Sequence, residues 1–132
     1  MKQRIARFSH QSGDVLCGLC NEKEETLEHL FLACPWARDF WHLVSQWWPL
    51  PSFDPSYASF HRALKRMKGS QKQKHITYAL VAATLYQIWR ARNTNVFHHI
   101  LLPVSTMFCD TKELITQEFF SLTNFIENLI RL

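Results

Sequence analysis

The chain has only three glycines and five prolines in 132 residues, which excludes a collagen-like, linker-like or low-complexity chain. So few glycines also leave no glycine-rich loop of the kind that cradles phosphates. No apolar run approaches the ~20 residues needed to span a bilayer. The longest candidate is broken by His75, Thr77, Thr84 and Gln87. The opening residues, Met1-Lys2-Gln3-Arg4-Ile5-Ala6-Arg7, lack the apolar stretch of a secretory signal. The expectation is an intracellular chain, nuclear or cytoplasmic, not secreted and with no membrane association. Catalytic parts are missing too. There is no Ser/His/Asp constellation, and no helix carries two histidines four apart beside a carboxylate. His10, His42, His61, His75, His98 and His99 are read as surface or packing residues. No enzyme is expected.

Carboxylates are absent from Pro55 to Cys109, a stretch that holds Arg62, Lys65, Arg66, Lys68, Lys72, Lys74, Arg90 and Arg92. Residues 14–39 reverse the balance, with Asp14, Glu22, Glu24, Glu25, Glu28 and Asp39 against Lys23 and Arg38. Such segregation creates a field, and a polyanion is the usual partner of a basic block. The plainer reading is a solvated helical face that keeps the domain soluble. Six of the cations fall within His61–His75, where two helices should meet at a turn, and long cationic side chains there can follow a phosphate backbone without reading sequence. Arg90 and Arg92 extend that surface, or else they only complement the end of a helix.

Three of the four cysteines lie close together around a histidine, as Cys17-x2-Cys20-x8-His29-x4-Cys34. A Cys-x-x-Cys pair makes a tight knuckle whose sulfurs converge, and Gly18 supplies conformational freedom for it. Three thiolates and an imidazole form a closed tetrahedral set suited to one structural Zn²⁺, with no position left for reactive water. A disulfide framework is disfavoured without a secretion signal, and a redox pair would want a βαβ context. Cysteines that merely pack remain the competing reading. Residues 12–35 hold few apolar side chains, and a structural zinc supplies on the order of 10 kcal/mol, enough to fix such a segment. Cys109, among Val104, Met107 and Phe108, is expected to be a small buried apolar residue.

The remaining pattern is helical throughout. A short helix is expected at Arg4–Phe8, and another begins at Thr26, with Leu27, Leu30 and Phe31 on one face. Pro35 suits the first position of a helix whose apolar residues run 36, 37, 40, 41, 44, 47 and 48 until Pro49. A fourth carries Tyr57, Phe60, Leu64 and Met67 and stops at Gly69-Ser70. The next, from Gln71 to Arg92, is apolar on nearly every side in its middle, as befits the most buried helix. Asn93 to Pro103 reads as a loop. Val104 to Ile130 reads as a long amphipathic helix with a break near Asp110-Thr111. The expected fold is all-α: a small CCHC zinc knuckle followed by a bundle of about four to five helices. Residues 1–50 would carry the knuckle and its following helix, and 51–132 the bundle with the basic hairpin, as one continuous domain.

The run from Cys17 to Trp41 resembles the zinc-binding domain of plant LINE-type, non-LTR retrotransposon reverse transcriptases. The shared marks are the Cys17-Gly18-Leu19-Cys20 knuckle, the acidic lead into Glu25-Thr26-Leu27-Glu28-His29-Leu30-Phe31, then Cys34-Pro35, then Trp41. Lys2–Phe8 looks like the basic helix placed before the knuckle, and Ile88–Phe97 like the Trp-Arg-x-Arg-Asn segment that follows it. The Trp-containing segment that opens the family domain is missing, as are polymerase aspartates and any nuclease carboxylate cluster. The chain therefore looks like a C-terminal piece of such an element, or a domesticated remnant of one, and the resemblance does not imply that it polymerises anything. The resemblance does imply nucleic-acid association in a retroelement protein, and the basic hairpin makes the expected partner RNA or single-stranded DNA, bound weakly and salt-dependently, with the polymerase portion of a parent protein as a further expected partner. The other reading is a zinc-stabilised helical interaction domain with no nucleic-acid binding. The tryptophans are assigned to the core rather than to base stacking, with Trp47-Trp48 the most exposed pair.

Overall fold

The computed structural model describes residues 15–131, with side chains described for 15–117. The helix expected at Arg4–Phe8 and the side chain of His10 lie outside these. A short π-helical turn, His29–Ala33, precedes four α-helices: α1 (Pro35–Trp47), α2 (Tyr57–Lys65), α3 (Gln71–His98) and α4 (Val104–Arg131). Among the described residues extended pairing is limited to one isolated antiparallel bridge between Leu16 and Glu24. The fold is all-α with a knuckle at one end.

Helix α1 begins at Pro35, whose missing N–H is no loss at a first position. It buries Ala37, Phe40, Trp41 and Val44 along one stripe. Trp48 turns to extended backbone, and Pro49 cannot continue the ladder. The chain then reaches α2, which Ser56 caps by accepting the Ser59 N–H. No residue of α2 is fully buried. An aromatic cluster holds it instead, with Phe53–Phe60 centroids 4.9 Å apart and Trp41 5.6 and 5.8 Å from the two rings. A short helix attached by one face leaves its cations on the outside.

Helix α3 is the central element, as its all-round apolar middle implied. It buries Leu80, Val81, Ile88 and Ala91 together with Thr77, Thr84, Gln87 and Arg92. The buried hydroxyls of Thr77 and Thr84 donate to the carbonyls of Gln73 and Leu80, so neither is orphaned. The helix runs six residues past its expected end at Arg92. Asn93-Thr94-Asn95 are poor helix formers, but Val96 packs against the knuckle and Asn95 hydrogen-bonds to it, which overrides propensity. His99, in left-handed conformation at φ 57°, ends it.

Helix α4 packs along α3 and α1 and shows no break at Asp110-Thr111. The Thr111 hydroxyl donates to the Met107 carbonyl and is buried rather than competing with the helix from outside. Met107, Thr111 and Ile115 form the inward face. Cys109 is exposed, not buried. It lies two residues, roughly 200° of rotation, from Met107 and so points the other way. One buried cluster runs from Cys17 through Phe40, Leu80 and Ile88 to Ile115, joining knuckle and helices.

Candidate metal centre and basic hairpin

The knuckle is a tight hairpin closed by Glu25 N–H to Val15 carbonyl and Cys17 N–H to Lys23 carbonyl, at 2.9 and 2.8 Å. Its left-handed residue is Asn21, at φ 58°, not Gly18. Asn tolerates that conformation better than most residues. Glycine is needed at 18 for a different reason. A Cβ there would sit 2.7 Å from Val96 Cγ2 and 3.0 Å from Arg92 Cγ. Helix α3 approaches too closely for any side chain.

The other two donors come from the π turn. Thr26 Oγ1 accepts the His29 N–H at 3.0 Å, and the Cys34 N–H closes an i→i−5 bond to the His29 carbonyl at 2.6 Å. Five residues along an α-helix would leave two side chains roughly 140° apart. The wider turn brings position 34 back beneath position 29, where an ordinary short helix was expected. It also turns Leu30 and Leu32 into the core and leaves Leu27 exposed, contrary to the expected face of Leu27, Leu30 and Phe31. Two aromatic anchors lock the turn in place. Trp41 Nε1 donates to the Phe31 carbonyl at 2.7 Å, and Phe31 stacks on Trp89 of α3.

Donor atoms of Cys17, Cys20, His29 and Cys34 all lie within 4.8 Å of one another. Cys17 Sγ and Cys34 Sγ are 3.7 Å apart, and Cys20 Sγ is 3.3 Å from His29 Nε2. A tetrahedral zinc with ~2.3 Å Zn–S and ~2.05 Å Zn–N bonds has edges of about 3.8 Å (S···S) and 3.6 Å (S···N). The donor set suits that ion in chemistry, two of its edges lie near the expected lengths, and the sulfur pair is far too open for a disulfide, whose sulfurs sit ~2.0 Å apart. Cys17 and Cys34 are fully buried, while Cys20 and His29 are half-buried. The hydrogen bond with Cys34 lowers the Cys17 thiol to about 5, helped by backbone N–H groups such as that of Leu19 at 3.4 Å. The same bond raises Cys34. The two sulfurs share a proton that a bound metal would replace.

The basic residues divide. Arg62, Lys65, Arg66, Lys68 and Lys72 are exposed, and Lys74 is half-buried. Their turn is firmly built. Gly69 takes φ 130°, and Ser70 and Gln73 form a reciprocal capping box that starts α3. Arg90 is exposed and pairs with Asp110 at 3.2 Å. Arg92, expected on the same cationic surface, is buried, with its guanidinium on Glu25 at 2.8 and 3.0 Å. It braces the knuckle and is closed to any outside phosphate. The importance of Glu25 and Asn95 was not visible in the sequence, because their partners, Arg92 and Gly18, lie 67 and 77 residues away.

The tryptophans are held in place by the fold. Trp36 Nε1 donates to the Leu102 carbonyl, Trp48 Nε1 donates to Thr77 Oγ1, and Trp41 is buried. Trp47, at 40% exposure, is the most open of the α1 stripe. His42, His61, His75, His98 and His99 are exposed.

Residues 1–41 match the model of a family described as zinc-binding in reverse transcriptase. The matched segment contains all four metal-donor residues. No curated protein and no solved structure matches the chain. Among the described residues, no helix is long and apolar enough to cross a membrane.

Proposed function

We propose that this chain is a nucleic-acid-associated domain built on one structural zinc, derived from a plant-type non-LTR retrotransposon reverse transcriptase and without polymerase activity of its own. Zinc held by Cys17, Cys20, His29 and Cys34 closes the knuckle, and the Arg62–Lys74 hairpin meets RNA or single-stranded DNA. The observation that carries the second half is where the cations sit. Lys72 and Lys74 occupy the first turns of α3, whose own first turn holds no acidic residue. Arg62 and Lys65 end the neighbouring α2 and bring further positive charge to the same turn. Cations drawn from two helix ends onto one turn support a polyanion as the partner. Fluorescence anisotropy with a labelled oligonucleotide at two salt concentrations tests it. Salt-sensitive binding is expected, and an unchanged signal at low salt would refute it.

A protein-interaction role has its own support. Trp47 borders a small apolar cavity of about 150 Å³ with Ile76, Leu80 and Ile115. That surface is where the polymerase portion of a parent protein would dock.

A further inference from the structure

Beside the hairpin, between the Trp48–Ser52 segment and the α2–α3 turn, lies an open groove of about 780 Å³. That volume falls within the ~300–1,000 Å³ of sites for organic ligands. Trp48, Pro51 and Met67 supply apolar surface, and Arg62, Arg66 and Lys68 supply the charge. No carboxylate is among the described residues that line it. The floor is held in place, because Trp48 Nε1 donates to Thr77 Oγ1 at 2.9 Å and that hydroxyl donates onward to the Gln73 carbonyl. A surface that only tracked phosphates would need no apolar floor, and a purely apolar docking groove would not carry three cations. Together they match an occupant with a flat apolar face and an anionic backbone. An unpaired nucleotide has both, whereas a duplex keeps its bases stacked inside and offers phosphates alone.

We propose that this groove seats unpaired nucleotides of a single strand, with bases against the Trp48–Met67 floor and phosphates on Arg62, Arg66 and Lys68. The inference rests on the nucleic-acid reading above and makes it specific for single strands. Lys65, Lys72 and Lys74 lie outside the groove lining, so the two ideas can be separated.

The test uses the full zinc-loaded chain in anisotropy titrations with a labelled single strand, an abasic strand of equal length and a duplex. The wild type should bind the single strand at least about fivefold tighter than the abasic one, the scale of one stacked base. Ala63→Trp, which fills the groove and keeps every cation, should erase that preference and leave abasic binding unchanged. Met67→Ala, which removes part of the apolar floor and keeps every cation, should lower that preference and leave abasic binding unchanged if the tryptophan variant fails to fold, as judged by circular dichroism. Equal binding of normal and abasic strands by the wild type would overturn the groove. So would a full preference retained in both variants, while Lys65→Glu/Lys72→Glu still abolished binding and left the hairpin reading standing. An acidic amphipathic peptide that binds the wild type but not Ala63→Trp, without any base preference, would assign the groove to protein and overturn it too. No binding of any nucleic acid at low salt would remove both proposals.

Discussion

Arg92 and Glu25 form a bidentate ion pair sealed from solvent, with Nη2–Oε2 at 2.8 Å and Nε–Oε1 at 3.0 Å. Glu25 Oε1 also accepts the Gly18 N–H at 2.9 Å, and Asn95 Nδ2 donates to the Gly18 carbonyl at 2.7 Å. Gly18 is thus held on both sides by groups that depend on α3. The Arg92 guanidinium lies 5.1 Å over the Trp89 ring, which itself stacks on Phe31 of the π turn. The four candidate metal donors are therefore braced by the central helix as well as by their own hairpin.

Breaking this pair from one side leaves a buried charge without its partner, a loss of about 3–5 kcal/mol. Glu25→Gln and Arg92→Met should each lower the unfolding free energy by that measure. Glu25→Leu/Arg92→Met, which removes both charges, should recover much of the loss. Urea unfolding of the zinc-loaded protein decides it, and a neutral effect of either single change would contradict the account.

Gly18→Ala adds one carbon where Val96 stands 2.7 Å away. Overpacking of this kind costs about 1–3 kcal/mol. Because the clash lies between knuckle and helix, zinc affinity should fall along with thermal stability. Competition with a chromophoric chelator reads the first, and calorimetry the second.

Native mass spectrometry should find one zinc per chain, lost in Cys17→Ser/Cys34→Ser. Removing it with a strong chelator should unfold the knuckle, since structural zinc supplies on the order of 10 kcal/mol. Far-UV circular dichroism and Trp fluorescence follow the change. A chain that stays fully folded without metal would refute the structural role.

Acid should release the metal, and the sulfur pair sets the shape of that release. Its hydrogen bond lowers Cys17 to about 5 and raises Cys34. Between pH 5 and neutrality the folded pair holds one proton, which zinc must expel. The pair's own contribution to affinity should fall about tenfold per pH unit on that side. Below pH 5 Cys17 also binds a proton, two must leave, and the slope steepens. The stabilisation is present at neutral pH and lost as pH falls. Zinc titrations across pH 4.5–7.5 in weakly coordinating buffer would measure both limbs.

The hairpin predicts a salt law. If about five phosphates are neutralised, log affinity should fall against log salt with slope roughly −3.5 for a single strand. Lys65→Glu/Arg66→Glu/Lys72→Glu should remove the binding while the circular dichroism stays native. Lys65, Arg66 and Lys72 are exposed, and surface substitutions usually shift stability by only about 0.5 kcal/mol.

The ligand spacing, the helical class, the Pro35 start, the central place of α3 and the basic turn could all be read along the chain, because each is a local pattern. Cysteine spacing, 3.6-residue periodicity and capping residues act over a few positions and need no partner from afar. Other features depended on contacts between distant segments. The extension of α3 to His98 runs through Asn93-Thr94-Asn95, which propensity alone would have left as a loop. Cys109 looked apolar by its neighbours, and only its rotation around α4 put it in solvent. The need for glycine at 18 comes from Val96 and Arg92, not from its own backbone. Arg92 looked like one more cation of a surface block. Its fate depended on a carboxylate 67 positions away, and composition cannot tell a charge that meets water from one that meets a buried partner.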